Sequence, residues 1–277
     1  MGEAMNLVVF TDLDGTLLDG GTYSFRPAVP ALGLLRRRGI PLVLCSSKTR
    51  EEILHWRRRL RNREPYISEN GGGIFFPMET DWVVPSMLPA RVEEKPWGWL
   101  MRLGARYTEL REAMEALRED GFAVRGFGDM DAAEVSRLTG LPARQAEMAK
   151  MRDFDEPFVF RGGQEEMAAL VEAIRGRGLR VTRGRFYHLM GESDKGRAVS
   201  ILTGVYRSAW GEIRTAALGD GLNDLPMLEV VDVPMLVQQA DGRHHPRIHT
   251  PGLVRLEGVG PEGWNRGILK VLGAQGT

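Results

Sequence analysis

Two carboxylates one residue apart, Asp12 and Asp14, follow an apolar run in Val8-Val9-Phe10-Thr11-Asp12-Leu13-Asp14-Gly15-Thr16. A β-branched and aromatic run of this length predicts a buried strand, and Gly15 permits the sharp turn that carries both carboxylates towards one spot. Two anions held that close call for a cation. Magnesium suits the place, because it takes oxygen ligands from one or two carboxylates and keeps positions open for water and phosphate. Alone, an Asp-x-Asp after a strand reads as an ordinary turn. Three further stretches of the chain take it out of isolation.

The apolar run Ile40-Pro41-Leu42-Val43-Leu44-Cys45 stops at Ser46-Ser47-Lys48-Thr49, where hydroxyls and free backbone amides precede a helix, a setting that suits an anion. The run Thr215-Ala216-Ala217-Leu218 stops at Gly219-Asp220-Gly221-Leu222-Asn223-Asp224, adding two carboxylates and an amide beside a turn. Each motif follows the carboxyl end of an expected strand, so a doubly wound sheet gathers all three at one edge. Lys195 lies near the start of the helical pattern Ala198, Ile201, Leu202 and Val205. It supplies the positive charge that a phosphate and an aspartate both require.

In this order the four motifs resemble those of the haloacid dehalogenase superfamily of phosphotransferases. The resemblance implies that Asp12 attacks phosphorus and that Asp14 acts as general acid and base. It implies a magnesium ion held by the Asp12 carboxylate, the Asp14 backbone carbonyl and Asp220, with Asn223 and Asp224 in support and with Ser46 and Lys195 on the phosphoryl oxygens. The fold it implies is α/β, a doubly wound, mostly parallel sheet core with an inserted α/β cap domain. Elementary chemistry agrees with these roles. Covalent catalysis by a carboxylate divides phosphate hydrolysis into formation and breakdown of an aspartyl phosphate, and a metal with an ammonium keeps Asp12 ionised while stabilising charge on the phosphoryl oxygens.

A finer resemblance spans core and cap. Cys45-Ser46-Ser47-Lys48-Thr49, Glu69-Asn70-Gly71-Gly72, Asp153-Phe154-Asp155-Glu156-Pro157-Phe158, Phe186-Tyr187-His188-Leu189-Met190-Gly191 and Asn223-Asp224-Leu225-Pro226-Met227-Leu228 together are similar to mannosyl-3-phosphoglycerate phosphatases. That likeness implies hydrolysis of 2-O-mannosyl-3-phosphoglycerate to mannosylglycerate, a compatible solute, and phosphate. Rival readings are a sucrose or trehalose phosphate phosphatase, a phosphomannomutase that returns the phosphoryl group to sugar, and a non-catalytic binding protein. Asp12, Asp14, Lys195 and Asp220 are all present, which argues against lost chemistry. Substrate contacts are expected from Ser47, Lys48, Asn70 and Gly71 on the core edge. Arg161 and His188 are expected to add cap contacts to the carboxylate or sugar, since guanidinium groups grip carboxylates bidentately.

The 277 residues suffice for two modest domains. Pro85, Pro89 and Pro96 break the strand and helix rhythm near Val84, which places a core at 1–84 and 190–277 and a cap at 85–189. Within the cap, Tyr107, Leu110, Met114 and Leu117 predict one amphipathic helix, and Met167, Leu170, Val171 and Ile174 a second. Strands are expected at 124–127, 158–160, 179–182 and 186–189. With 37 basic and 37 acidic residues the formal charge is +0, so nothing draws the chain to nucleic acid or membrane. The runs Arg36-Arg37-Arg38 and Arg57-Arg58-Arg59 read as solvated helix faces. His244, His245 and His249 read as a polar loop, not a zinc site, for want of companion ligands. The single cysteine, Cys45, reads as a small core residue. Neither a leader nor an apolar run of transmembrane length is visible, so the expectation is a cytoplasmic enzyme acting on a small phosphorylated sugar-glycerate.

Overall fold

The computed structural model describes residues 6–88 and 91–273. The chain begins with β1 (Asn6–Thr11), α1 (Val29–Arg37), β2 (Leu42–Leu44), α2 (Arg50–Leu60), β3 (Tyr66–Ser68) and β4 (Gly73–Pro77). A hairpin follows, β5 (Val92–Lys95) and β6 (Gly98–Arg102), then α3 (Tyr107–Glu119), β7 (Val124–Gly126), α4 (Ala132–Thr139), α5 (Ala143–Ala149), β8 (Asp155–Phe160), α6 (Gln164–Gly176), β9 (Arg180–Arg183) and β10 (Tyr187–Met190). The remainder is α7 (Lys195–Trp210), β11 (Ile213–Gly219), α8 (Leu225–Glu229), β12 (Val233–Gln238), β13 (Val254–Val259) and α9 (Pro261–Val271).

Strands in the order β13-β12-β11-β1-β2 make one parallel sheet. Side-chain alternation on β1 explains its two covered faces. Val9 joins Ala31, Leu35, Ile53, Trp56 and Trp264 on the side of α1, α2 and α9. Val8 and Phe10 join Ala198, Leu202, Tyr206 and Met227 on the side of α7 and α8. A strand buried on both faces must be apolar along its buried part, as this one is from Leu7 to Phe10. The expected doubly wound core is therefore present, and the three motifs end neighbouring parallel strands.

Two antiparallel sheets complete the molecule. The sheet β3-β4-β6-β5 grows from the core through a bridge between Cys45 and Ile67. Its hairpin β5–β6 occupies the stretch where the prolines broke the rhythm, with Pro85 in a short 3-10 helix and Pro96 in the hairpin turn, while Pro89 lies outside the described residues. The sheet β7-β8-β10-β9 packs Phe158 and Leu189 against Leu110, Met114 and Leu117 of α3 and Leu170 and Ile174 of α6. Helices α4 and α5, absent from the sequence reading, form a small core around Phe127, Val135 and Ala146, and α5 packs on α2 of the core.

One expectation fails. Arg57 is buried instead of solvated; it pairs with Glu79 at 2.8 Å and lies over the Tyr66 ring. Its neighbour Arg59 lies over Trp56, so aromatic faces cover part of that run. Cys45 is a buried core residue whose burial pushes its thiol up. No described helix is long and apolar enough to cross a membrane.

Candidate active site

Backbone pairing carries Asp12 to the sheet edge, where its N–H donates to the Leu218 carbonyl at 3.0 Å. The turn that follows needs glycine. Gly15 has φ +78°, and a Cβ there would lie 3.0 Å from Asp220 Oδ2, so only a residue without a side chain lets the loop press onto the motif after β11. Thr16 Oγ1 then donates to Asp220 Oδ1 at 3.1 Å. Asp224 accepts the backbone N–H groups of Asp220 and Gly221 at 3.0 Å each, which folds that motif back on itself.

Lys195 enters from the first residue of α7, whose N-cap Asp194 accepts the N–H of Arg197. The lysine is fully buried, with Nζ 2.6 Å from Asp12 Oδ1 and 2.7 Å from Asp224 Oδ1. Burial alone would lower its proton affinity, but Asp12 and Asp224 raise it. Asp12 is pushed well above the ordinary carboxylate range by burial and by Asp224 and Asp220, against the pull of Lys195. Burial and then Asp224 push Asp220 to about 7.

Three carboxylates around one ammonium leave this edge short of positive charge. Asp12, Asp220 and Asp224 each offer an oxygen within 4.8 Å of the others, and hard oxygen donors of this kind suit magnesium. The cluster therefore fits a divalent cation. It brings in the carboxylate of Asp224, which the sequence reading held in support behind the metal, while the Asp14 side chain turns elsewhere.

Asp14 Oδ2 pairs with Lys48 Nζ at 2.8 Å, and its Oδ1 is buried without a hydrogen-bond partner among the described residues. Lys48 also reaches Glu52 at 3.4 Å and lies over the Tyr23 ring. Glu52 is held by a capping box with Thr49 at the start of α2. Asp14, Ser47, Lys48 and Asp220 line a cavity of about 700 Å³ between core and cap. Ser46 is buried just behind it, its Oγ accepting the N–H of Lys48 at 3.3 Å.

Across the cavity, His188 Nδ1 lies 2.9 Å from Asp155 Oδ1, and Asp155 Oδ2 accepts from Asn70 Nδ2 at 2.8 Å. Asn70 Oδ1 in turn accepts from Asn223 Nδ2 at 3.3 Å, linking the cap to the motif after β11. Burial would push Asp155 up, but His188 and Arg152 hold it below its ordinary value. His188, Asn70 and Asn223 were read from the sequence; Arg152, which also lines the cavity, was not. Arg152 Nη1 donates to the Ser47 carbonyl at 2.9 Å and Nε to the Ala149 carbonyl at 2.8 Å. A signal for this group existed in Asp155-Glu156, two acids opening an apolar strand, since buried charges require partners.

Three candidates stand apart. Asn70 is buried and does not line the cavity, its amide being engaged with Asp155 and Asn223. Gly71 does not line the cavity; with φ +91°, it packs so closely on α7 that a Cβ would lie 2.1 Å from the Asp194 carbonyl oxygen. Arg161 is exposed at the end of β8 and is not among the cavity residues. In the histidine loop His244 lies 2.8 Å from the Leu256 carbonyl and His249 2.9 Å from that of Pro246. His245 reaches the cavity rim, and none of the three joins a metal-binding group among the described residues.

The fold and this edge of carboxylates define a phosphotransferase-type α/β hydrolase, and residues 9–91 match the haloacid dehalogenase-like hydrolase family. Solved structures show the same fold along the whole chain. A Thermoplasma acidophilum protein superposes with TM-score 0.68 at 18% identity, covering 97% of this chain and 99% of its own. A haloalkanoate-superfamily phosphatase from Bacteroides thetaiotaomicron superposes with TM-score 0.66 at 19% identity, covering 98% and 97%. Sequence relatives are nearer. A glucosyl-3-phosphoglycerate/mannosyl-3-phosphoglycerate phosphatase from Methanococcoides burtonii is 45% identical over 97% of this chain and 98% of its own, and one from Persephonella marina is 40% identical over 96% and 97%. The chain belongs to this glucosyl-3-phosphoglycerate/mannosyl-3-phosphoglycerate phosphatase family of the haloacid dehalogenase-like hydrolases.

Proposed function

We propose that the chain is a magnesium-dependent phosphatase that hydrolyses 2-O-mannosyl-3-phosphoglycerate to mannosylglycerate and phosphate, with the glucosyl compound as a second substrate. The observation that carries this reading is the pairing of Asp12 with Lys195 at 2.6 Å and of Asp14 with Lys48 at 2.8 Å on one sheet edge, in a chain that matches the family along its length. In this reading an Asp12 carboxylate oxygen attacks phosphorus and the bond to the glycerate oxygen breaks. Asp14 gives that oxygen its proton, then takes one from the water that attacks the aspartyl phosphate, which frees phosphate and restores Asp12. Lys195 holds Asp12 in place, and Lys195 and Ser46 hold the phosphoryl oxygens. Magnesium, on Asp12, Asp220 and Asp224 or the Asp14 carbonyl, would offset the charge of phosphate and carboxylates together.

Residues 1–84 and 190–277 serve as the catalytic core and 85–189 as the cap in this proposal, with hairpin β5–β6 as the core-side root of the cap. Contacts from Ser47, Lys48 and His188 supply discrimination, with Asn70 acting through Asp155, and the enzyme is read as cytoplasmic. Phosphate release with magnesium across a panel of phosphorylated glycosides tests the reading. The mannosyl and glucosyl phosphoglycerates should exceed sucrose 6-phosphate, trehalose 6-phosphate and 3-phosphoglycerate in kcat/KM. Equal efficiency on sucrose or trehalose phosphate would remove the substrate assignment and leave the chemistry standing.

A further inference from the structure

Arg152 and His188 share an unusual condition. Each side chain is nearly buried, each is tied down by some of its nitrogens, and each keeps one nitrogen without a hydrogen bond among the described residues. The Arg152 side chain is 5% exposed, and its Nε and Nη1 are spent on the Ala149 and Ser47 carbonyls; no hydrogen bond to Nη2 is found among the described residues. His188 commits Nδ1 to Asp155, and Nε2 has no hydrogen bond to protein among the described residues. Both side chains line the cavity that also holds Asp14 and Lys48.

Their support is expensive in backbone terms. Glu69, Asn70 and Gly71 are three successive residues with positive φ, at 49°, 54° and 91°, a conformation that costs side-chain-bearing residues free energy. That turn aims two side chains at one cap segment. The Glu69 carboxylate accepts the N–H of Asp153 at 3.1 Å and of Phe154 at 2.8 Å, and Asn70 donates to Asp155 at 2.8 Å. Arg152 closes the clamp on Ser47. A strained turn that fixes the segment between Arg152 and Asp155 to the core is a device for holding Arg152 and His188 still.

We infer that Arg152 Nη2, joined by His188 Nε2 where the ring carries a proton on both nitrogens, forms a carboxylate subsite that reads the second anion of the substrate, with Asp155, Asn70 and Glu69 as positioning residues. The identity of that anion, the glycerate carboxylate, rests on the proposed function; the subsite rests on the geometry. A carboxylate there meets an arginine and an imidazole whose orientation is already set, so little is lost in ordering them. Sugar phosphates without a carboxylate leave both donors unanswered. Because Arg152 also holds the Ser47 carbonyl, the anion is gripped only when cap and core are together, beside the reacting phosphoryl group.

The test uses two small ligands that carry the same phosphate ester, 3-phosphoglycerate with a carboxylate and glycerol 3-phosphate with a hydroxymethyl group in its place. Each competes against p-nitrophenyl phosphate hydrolysis with magnesium, and the ratio of the two inhibition constants is the readout. That ratio is independent of how fast a variant turns over. The wild-type chain should favour 3-phosphoglycerate by about a hundredfold, as two charge-assisted hydrogen bonds imply. Arg152→Lys and His188→Asn should each reduce the ratio at least tenfold; the asparagine can still reach Asp155 but lacks the Nε2 face. Asp155→Asn should move it in the same direction by less. Equal constants in the wild type, or a ratio unmoved in both Arg152→Lys and His188→Asn, would overturn the subsite. A preserved preference for 3-phosphoglycerate in a chain that fails to hydrolyse the mannosyl and glucosyl compounds supports the subsite and removes the substrate proposal instead.

Discussion

On the core side of the cavity Asp12, Asp220 and Asp224 crowd around one buried lysine, while on the cap side Arg152 and His188 share one buried aspartate. The first wall lacks positive charge, whereas the second keeps nitrogens without a hydrogen bond among the described residues, on Arg152 and His188, beside the carboxylates of Asp155, Glu69 and Glu156. Burial sharpens the imbalance of the first wall, since charges are poorly screened away from water. A ligand with a cation-bound phosphoryl group at one end and a carboxylate at the other satisfies both walls at once. The two walls also differ in construction. Core groups sit at the ends of parallel strands and are aimed by adjacent glycine turns, whereas the cap groups are aimed by contacts across 84 and 85 residues of sequence.

The comparison breaks most decisively at Asp12. Asp12→Asn should drive phosphate release below detection, because an amide does not attack phosphorus, while thermal unfolding of the cation-free chain stays level or rises as one carboxylate leaves the crowd. Near-normal turnover in a folded variant would refute the covalent route. Removal of divalent cations by a chelator should extinguish turnover on every phosphate ester, with magnesium restoring it. Calcium, which takes about six to eight oxygens in loose geometry, should restore only a small part; full rates without a divalent cation would show that Lys195 alone balances the core wall.

Asp14→Asn should reduce kcat by about 10²–10⁴-fold, the usual scale for a lost general acid and base, and rates within tenfold of wild type would assign the proton to another group. At the seam between the walls, Gly71→Ala should cost about 1–3 kcal/mol in a denaturant titration, since the new Cβ overlaps the Asp194 backbone and the positive φ disfavours a side chain. An unchanged midpoint would mean that the seam yields without cost. The smallest effect belongs to Arg161→Ala on the exposed cap. Its kcat/KM should stay within about twofold of wild type and its stability within about 0.5 kcal/mol, and a large loss of kcat/KM would extend the cationic wall beyond the cavity.

Much of the core wall was legible in the chain because its rules are local. An apolar run ending in a carboxylate and a glycine implies a strand end and a turn within a few residues, and Asp12, Asp14, Asp220 and Asp224 follow that grammar, while Ser46 closes another apolar run and Lys195 opens a helical pattern. The cap wall has no such grammar. Arg161 and Arg152 flank the same strand, β8, and no local pattern separates them. Register does so: β8 and β10 are antiparallel with His188 opposite Pro157, which puts His188 two positions from Asp155 on one face of the sheet. Arg152 lies just before that strand, within reach of Asp155 and Ser47, and Arg161 lies just after it in solvent.

The same division holds for Arg57, whose run looked solvated until Tyr66 and Glu79 were packed against it. Residue order alone determined which chemistry the chain carries, since strand propensity, glycine turns and helix caps act between neighbours and deliver the reactive groups to one edge. Which cations face the substrate was decided only by the tertiary structure. A charged side chain is held or exposed according to what packs against it, and for Arg152, His188 and Arg57 those partners come from distant parts of the chain, from which a buried charge must draw the hydrogen bonds that replace water.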